Sequence, residues 1–471
     1  MAGMQQPGTF SDDPRVETIP DDHAGLPKPR RLWAIAAISF GTSLLVIDSN
    51  IANVALPTIA RDLNVGEAAV TNVVTIYQLV LVMLLLPFSS LGDRLGHRTL
   101  YQAGQGVFMV ASAACFFVDS FSVLLLLRAV QAIGAAMALS VSAAMLRQIY
   151  PASRLGTGMG INSVIVASSA ALAPTLGGYI VGNLPWQTVF VAAAPMAVIS
   201  LLLGRALPEP EPRNQPSKWR SGVLSALTMP LLVGGIQLGT HDALGWGIAA
   251  FALGVIALLA LIRRERRREA PVFPVDLLAK PVIGLSALAG FASFVSAGAL
   301  MLGLPFRFEN AMGYEPQMVG LLLLPFPLTM LVVSPIAGMA SDRIAPTKLG
   351  VTGMAIAIVG LLLLATMPDQ PGAWNIAWRL SLTAVGFGLF FSPNSRLLIG
   401  RAPRDRAAAA GGLLSTSRLF GQTMGAVAIG ILLAAGLGTG PAPLYVSCAL
   451  AVVAALASMV RFSQRDNPAN R

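Results

Sequence analysis

Apolar residues run along this chain in fourteen stretches of about twenty, beginning near residues 33, 68, 98, 121, 155, 186, 220, 244, 281, 315, 347, 373, 406 and 441 and separated by Pro, Gly and charge. A hydrocarbon core of about 30 Å needs roughly 20 apolar helical residues to cross, and a helix satisfies its own backbone groups in lipid. The pattern therefore predicts an all-α polytopic membrane protein with 14 transmembrane helices. It is also duplicated. SSLGDR at 89–94 and GMASDR at 338–343, about half the chain apart, each close an apolar run and open a short polar break. With small drift the same offset aligns LPTIARDLNVG (56–66) with LPFRFENAMG (304–313), Arg128 with Arg379, and Pro151 and Ser163 with Pro403 and Ser415. A long-period repeat in an apolar chain points to a two-halved transporter with the substrate path between the halves.

The repeat also counts the spans. SSLGDR ends the second run and GMASDR the tenth, so six helices per half leave two additional helices between them, at 220–239 and 244–262. Inserted as a pair, they cross and return, which preserves the orientation of the second half. The expected order is an N-terminal tail (1–32), a six-helix bundle (33–206), a linker with two extra spans (207–280), a second six-helix bundle (281–461) and a C-terminal tail (462–471). The Pro-rich PEPEPRNQP (208–216) and the basic loop 263–281 would be the flexible joins.

Composition supports the lipid environment, since 55% of residues are hydrophobic and 11% charged, against about 25% charged in soluble domains. Threaded with the amino terminus inside, every Lys and Arg except Arg61, Arg128, Arg307, Arg379 and Arg418 falls on one side. The positive-inside rule then puts both termini in the cytoplasm of a multi-pass protein of the cell (inner) membrane. The same asymmetry explains the net charge of +10 without a nucleic-acid partner. Residues 1–27 are polar, rich in Pro and Asp, and lack a cleavable leader, so they read as a disordered tail. Cys115 and Cys448 lie in apolar runs as small buried side chains, and His23, His97 and His241 are scattered. No metal site, cofactor or clustered catalytic set is expected, and the chain does not read as an enzyme.

Ionisable groups inside spans carry weight because a mid-bilayer charge costs at least ~2.5 to 3.5 kcal/mol. Asp48, in LVIDSNIANVALP (45–57), is the only acid near the middle of any run. Arg128 and Gln131, in LRAVQAIGAA (127–136), share one face of the fourth run. Counted from the outer ends, Asp48 and Arg128 lie at nearly the same depth, as a proton-handling pair or a structural ion pair. Asn50 and Asn53 point elsewhere, as interhelical hydrogen-bond partners. In the thirteenth run Gly411, Ser415, Arg418, Gln422 and Gly425 form one helical stripe, equally suited to packing or to lining a cavity. With Tyr77, Gln78 and Gln131, the polar members Ser415, Arg418 and Gln422 make up the candidate substrate cavity, otherwise apolar and poor in aromatics. Arg307 and Glu309 are expected at a solvated outer mouth.

These residues resemble the major facilitator superfamily, and within it the fourteen-span drug:proton antiporter branch, over 33–461. IDSNIANVALP is similar to that branch's first-span motif. SSLGDRLGHR resembles the signature between spans two and three at Asp93, Arg94, Gly96 and Arg98, with Ser89 where Gly is usual and His97 where a basic residue is usual. LRAVQAIGAA matches the span-four motif at Arg128 and Gln131. SAALAPTLGG (169–178) matches the exporter motif at Pro174, Gly177 and Gly178, with Ser169 and Ala173 replacing glycines. The resemblance implies alternating access, the two halves rocking about a central cavity. Asp93, with Arg94, Gly96 and Arg98, would close the inner gate against the other half, and the repeat mates Asp342 and Arg343 would do likewise. Asp48 would carry the proton with Arg128 tuning it, and the Pro174 segment would be a kinked, close-packed rocking element. The implied function is proton-coupled efflux of lipophilic, cationic compounds by a monomer. Its partners would be a small-molecule substrate, protons and lipid. The alternative is proton-linked transport of a specific metabolite.

Overall fold

The computed structural model describes residues 25–150, 155–208, 219–239, 244–266, 274–368, 371–403 and 406–465. A helix stands at every predicted run. The first bundle contains α1 Lys28–Asp62, α2 Asn72–Leu95, α3 His97–Cys115, α4 Phe121–Ile149, α5 Leu155–Asn183 and α6 Ala194–Leu203. The inserted pair is α7 Trp219–Gly239 and α8 Leu244–Glu265. The second bundle contains α9 Pro281–Phe306, α10 Pro325–Ala340, α11 Pro346–Ala365, α12 Ala373–Gly400, α13 Ala407–Ala434 and α14 Ala442–Arg465. A single π-helical turn, Arg307–Ala311, extends α9, and a short helix, Pro316–Leu323, leads into α10.

Local chemistry sets the ends. Proline opens α9, the Pro316–Leu323 helix, α10 and α11, where its missing N–H costs nothing and its fixed φ suits the first turn. Gly96, at φ 91°, both ends α2 and starts α3, a backbone conformation that a side chain would strain. Eleven helices among the described residues are long and apolar enough to cross a membrane. The three others are α3, whose YQAGQG segment (101–106) dilutes its apolarity, α5, and α7, whose apolar part is the shorter stretch Ala226–Ile236. Among the described residues a helix thus stands at each of the fourteen predicted runs, with shorter helices besides, and eleven meet the spanning criterion by themselves.

The buried apolar residues form two main cores. One is built chiefly from α1 to α6 and the other chiefly from α9 to α14. The duplication reaches into the packing. Gly104 of α3 lies so close to Gly134 of α4 that a Cβ would come within 2.6 Å of its carbonyl oxygen. The repeat positions Gly353 of α11 and Gly386 of α12 meet in the same way, at 2.7 Å. Small residues let helix backbones touch where lipid supplies no hydrophobic drive for association. The inserted α7 packs on α8 and on α2, and α8 leaves Trp246, Ile248, Leu253, Ile256 and Leu259 exposed, a surface suited to lipid.

Contacts between the bundles gather at the ends that the positive charges assign to the outside. The Pro174 carbonyl oxygen and Gly178 of α5 meet Gly320 of the Pro316–Leu323 helix, where added Cβ atoms would lie 2.5 to 2.9 Å from opposing backbone. Gly430 of α13 abuts Thr71, and Val54 of α1 lies in the second core. The expected solvated mouth at Arg307 and Glu309 is not what forms: both are buried. Glu309 accepts from Arg61 of α1 in an ion pair and from Thr58 at 3.3 Å, while Arg307 donates to the Leu364 carbonyl at 3.3 Å. Asn310 donates to Glu67 at 2.5 Å. The outer ends are latched together, and burial follows because each half covers the other.

Candidate functional site

The first half places its charges as the depth argument expected. α1 presents Asp48 and α4 presents Arg128, with Arg128 Nη1 to Asp48 Oδ2 at 2.9 Å and both side chains 1% exposed. The pair is held from several sides. Arg128 Nη1 also donates to Gln131 Oε1 at 2.8 Å, Nε donates to the Val73 carbonyl of α2 at 3.3 Å, and Gln131 Nε2 donates to Ser112 of α3 at 2.7 Å. The guanidinium lies 4.2 Å from the Tyr77 ring centroid and 5.1 Å from that of Phe190, geometry in which an aromatic face attracts a cation. A buried carboxylate normally fills its acceptor sites. Asp48 Oδ1, though buried, has no hydrogen-bond partner among the described residues. This oxygen has room chemically for a proton.

Other sequence candidates divide. Tyr77 and Gln131 join the Asp48 cluster, and Gln78 is buried beside it in sequence with its Oε1 unpaired. Asn50 donates to the Val46 carbonyl of its own helix, at 2.7 Å, not across helices. In α13 the stripe splits. Gly425 and the backbone of Gln422 pack on α9, while Gly411 faces open space and Ser415 and Arg418 are half-buried. Gly177 and Gly178 both serve close approach, the first to Ile51 of α1 and the second across the halves.

The gating set is only partly drawn together. Gly96 makes the turn, Arg94 is exposed and Arg98 is half-buried; the Asp93 side chain lies outside the described residues. Its repeat mate Asp342 pairs with Arg396 of α12 at 2.5 Å, and the same Arg396 nitrogen donates to Ser341 at 2.8 Å. That pair lies within one half, while the halves meet at their outer ends. Arg343 is exposed.

Two features escaped the sequence reading. One is the outer latch of Arg61, Thr58 and Glu309. The other is a group of stacked phenylalanines in the second half. Phe291 and Phe420 stack at 5.4 Å, Phe294 and Phe391 at 4.5 Å, and Phe387 and Phe391 at 5.6 Å.

Comparison with known proteins gives one family. The profile of the Major Facilitator Superfamily matches residues 38–285 and 286–471. An uncharacterized transporter, YebQ, of Escherichia coli strain K12 is 39% identical over 93% of this chain and 97% of its own length. The multidrug efflux pump LfrA of Mycolicibacterium smegmatis is 30% identical over 86% of this chain and 82% of its own length. The riboflavin transporter RibZ of Clostridioides difficile is 28% identical over 84% and 87%.

Proposed function

The chain belongs to the Major Facilitator Superfamily, and from that premise we propose that it is a proton-coupled exporter of lipophilic small molecules, working by alternating access in the inner membrane. It is a transporter and not an enzyme. In this reading it acts as a monomer with both termini in the cytoplasm. The bodies 33–206 and 281–461 rock against each other, and the proton gradient is the only energy source. Similarity to the multidrug efflux pump LfrA supports export of foreign compounds.

One observation carries the proton-coupled part: the buried Asp48–Arg128 pair with a spare carboxylate oxygen. Protonating Asp48 turns an ion pair into a neutral acid beside a buried cation. At an effective dielectric of about 20, two unit charges about 4 Å apart attract by roughly 4 kcal/mol. That change is large against the few kcal/mol that separate conformers of a switching protein. α1 then links the event to the outer latch, since Asp48 and Arg61 lie about 20 Å apart along the same helix. In this reading a cationic substrate would compete with Arg128 for the Asp48 carboxylate.

The test is proton release from proteoliposomes holding the purified protein, driven by addition of a panel of lipophilic drugs. Wild type should exchange protons for drug. Asp48→Asn, with unaltered folding and insertion, should not. If Asp48→Asn still drives drug uphill on a pH gradient, the proton is carried elsewhere. Similarity to a riboflavin transporter favours a second reading, proton-linked transport of one metabolite. A metabolite panel in the same assay, with a single strong responder and no drug response, would select it.

A further inference from the structure

Asp48 is sealed, so a proton needs a route to it. The carboxylate and its partner Arg128 are both 1% exposed, and Oδ1, the oxygen without a hydrogen bond, is itself buried. A second polar atom of the same cluster is in the same condition. The Tyr77 hydroxyl, on α2, is buried without a hydrogen-bond partner among the described residues. The Tyr77 ring lies under the Arg128 guanidinium, 4.2 Å from its centroid, and the hydroxyl interacts with two side chains of α1, Asp48 and Ser49. An oxygen that can take a proton and a hydroxyl that can give one are neighbours here, poised and not yet bonded.

Ser49 connects this cluster to a different environment. Val46, Ser49, Asn50 and Asn53 are half-buried, while Asp48 and Ile51 are buried. At 100° per residue the four half-buried positions fall on one face of α1. Three of them are polar, which suits water better than lipid. Ser49 Oγ donates to the Leu45 carbonyl at 2.7 Å. A hydroxyl rotor can leave such an intrahelical bond, and its lone pairs accept meanwhile.

We propose that Ser49 and Tyr77 form a two-hydroxyl proton relay to Asp48. A hydronium ion at the polar face of α1 gives its proton to Ser49 Oγ and becomes water. The Ser49 proton passes to Tyr77 Oη, and the Tyr77 proton passes to Asp48 Oδ1. Each hydroxyl breaks one O–H bond and forms one, so both end as they began, and the charge neutralised is that of the Asp48 carboxylate. The same steps in reverse return the proton. The relay rests on the reading of Asp48 as the proton carrier, but its rate can be measured without substrate or gradient.

After an acid jump, time-resolved infrared difference spectra of the purified full-length protein in lipid nanodiscs should show a protonated-carboxyl band that is missing from Asp48→Asn. Tyr77→Phe keeps the ring against Arg128 and removes the hydroxyl. Its band should reach the wild-type amplitude at least about tenfold more slowly, since a positioned acid–base group speeds proton transfer by that much or more. Ser49→Ala should slow the band likewise, and the double variant should be no slower than either, because the two hydroxyls act in series. Ser49→Thr keeps a hydroxyl and should stay within about twofold of wild type. Absence of an Asp48-dependent band, an unchanged rate in Tyr77→Phe, a smaller amplitude at the wild-type rate, or additive slowing in the double variant would each overturn the relay. Failure here is distinct from failure of proton coupling, which the Asp48→Asn flux measurement reports.

Discussion

The outer latch makes a quantitative demand on the conformational equilibrium. Glu309 is 3% exposed and accepts from Arg61 and Thr58, while Arg61 itself is 57% exposed. A charge-assisted hydrogen bond is worth about 1.5 to 3 kcal/mol net; the exposure of Arg61 to screening brings the estimate toward about 1 to 2 kcal/mol. Glu309→Gln keeps the shape and removes the charge. It should therefore shift the closed-to-open ratio of the outer face about 5- to 30-fold toward open, since each 1.4 kcal/mol is a factor of ten. Spin labels at Asn64Cys and Met312Cys, read by pulsed electron resonance in lipid nanodiscs, would report the change as a growing long-distance population. Arg61→Glu, which sets two acids against each other, should shift it further, and the charge-swapped pair Arg61→Glu with Glu309→Arg should restore closure. Distance distributions that stay the same in Glu309→Gln and Arg61→Glu would show that the pair does not hold the outer face shut.

Two further outcomes follow from packing and charge distribution. Gly320→Leu should hinder outer closure and lower transport several-fold, because its Cβ would sit 2.5 Å from the Pro174 carbonyl oxygen and backbone cannot give way as a side-chain tip can; normal transport would remove the α5 crossing from the mechanism. A reporter inserted in 208–216 or fused after Arg471 should report cytoplasm, as both follow an even number of helices, and a signal from the opposite side would overturn the fourteen-span count.

How much of this was legible in the sequence depended on whether the signal was periodic or relational. Helix positions came from apolar runs, and the two-halved plan came from the repeat; both survive because lipid leaves a chain few ways to satisfy its backbone. Asp48 and Arg128 were paired by counting residues from the outer ends of α1 and α4, since helix rise turns sequence distance directly into depth. The latch was within reach as well. Arg61 and Glu309 occupy matching places in LPTIARDLNVG and LPFRFENAMG, so a two-fold relation between halves brings these repeat mates face to face. Reading each alone made Glu309 a rim residue. For Asp342 the sequence could not show Arg396 arriving from α12 within the same half. The stacked phenylalanines were the least legible feature: Phe291, Phe294, Phe391 and Phe420 come from three helices, each as an ordinary apolar residue in an apolar run. Only the crossing of α9, α12 and α13 brings them together.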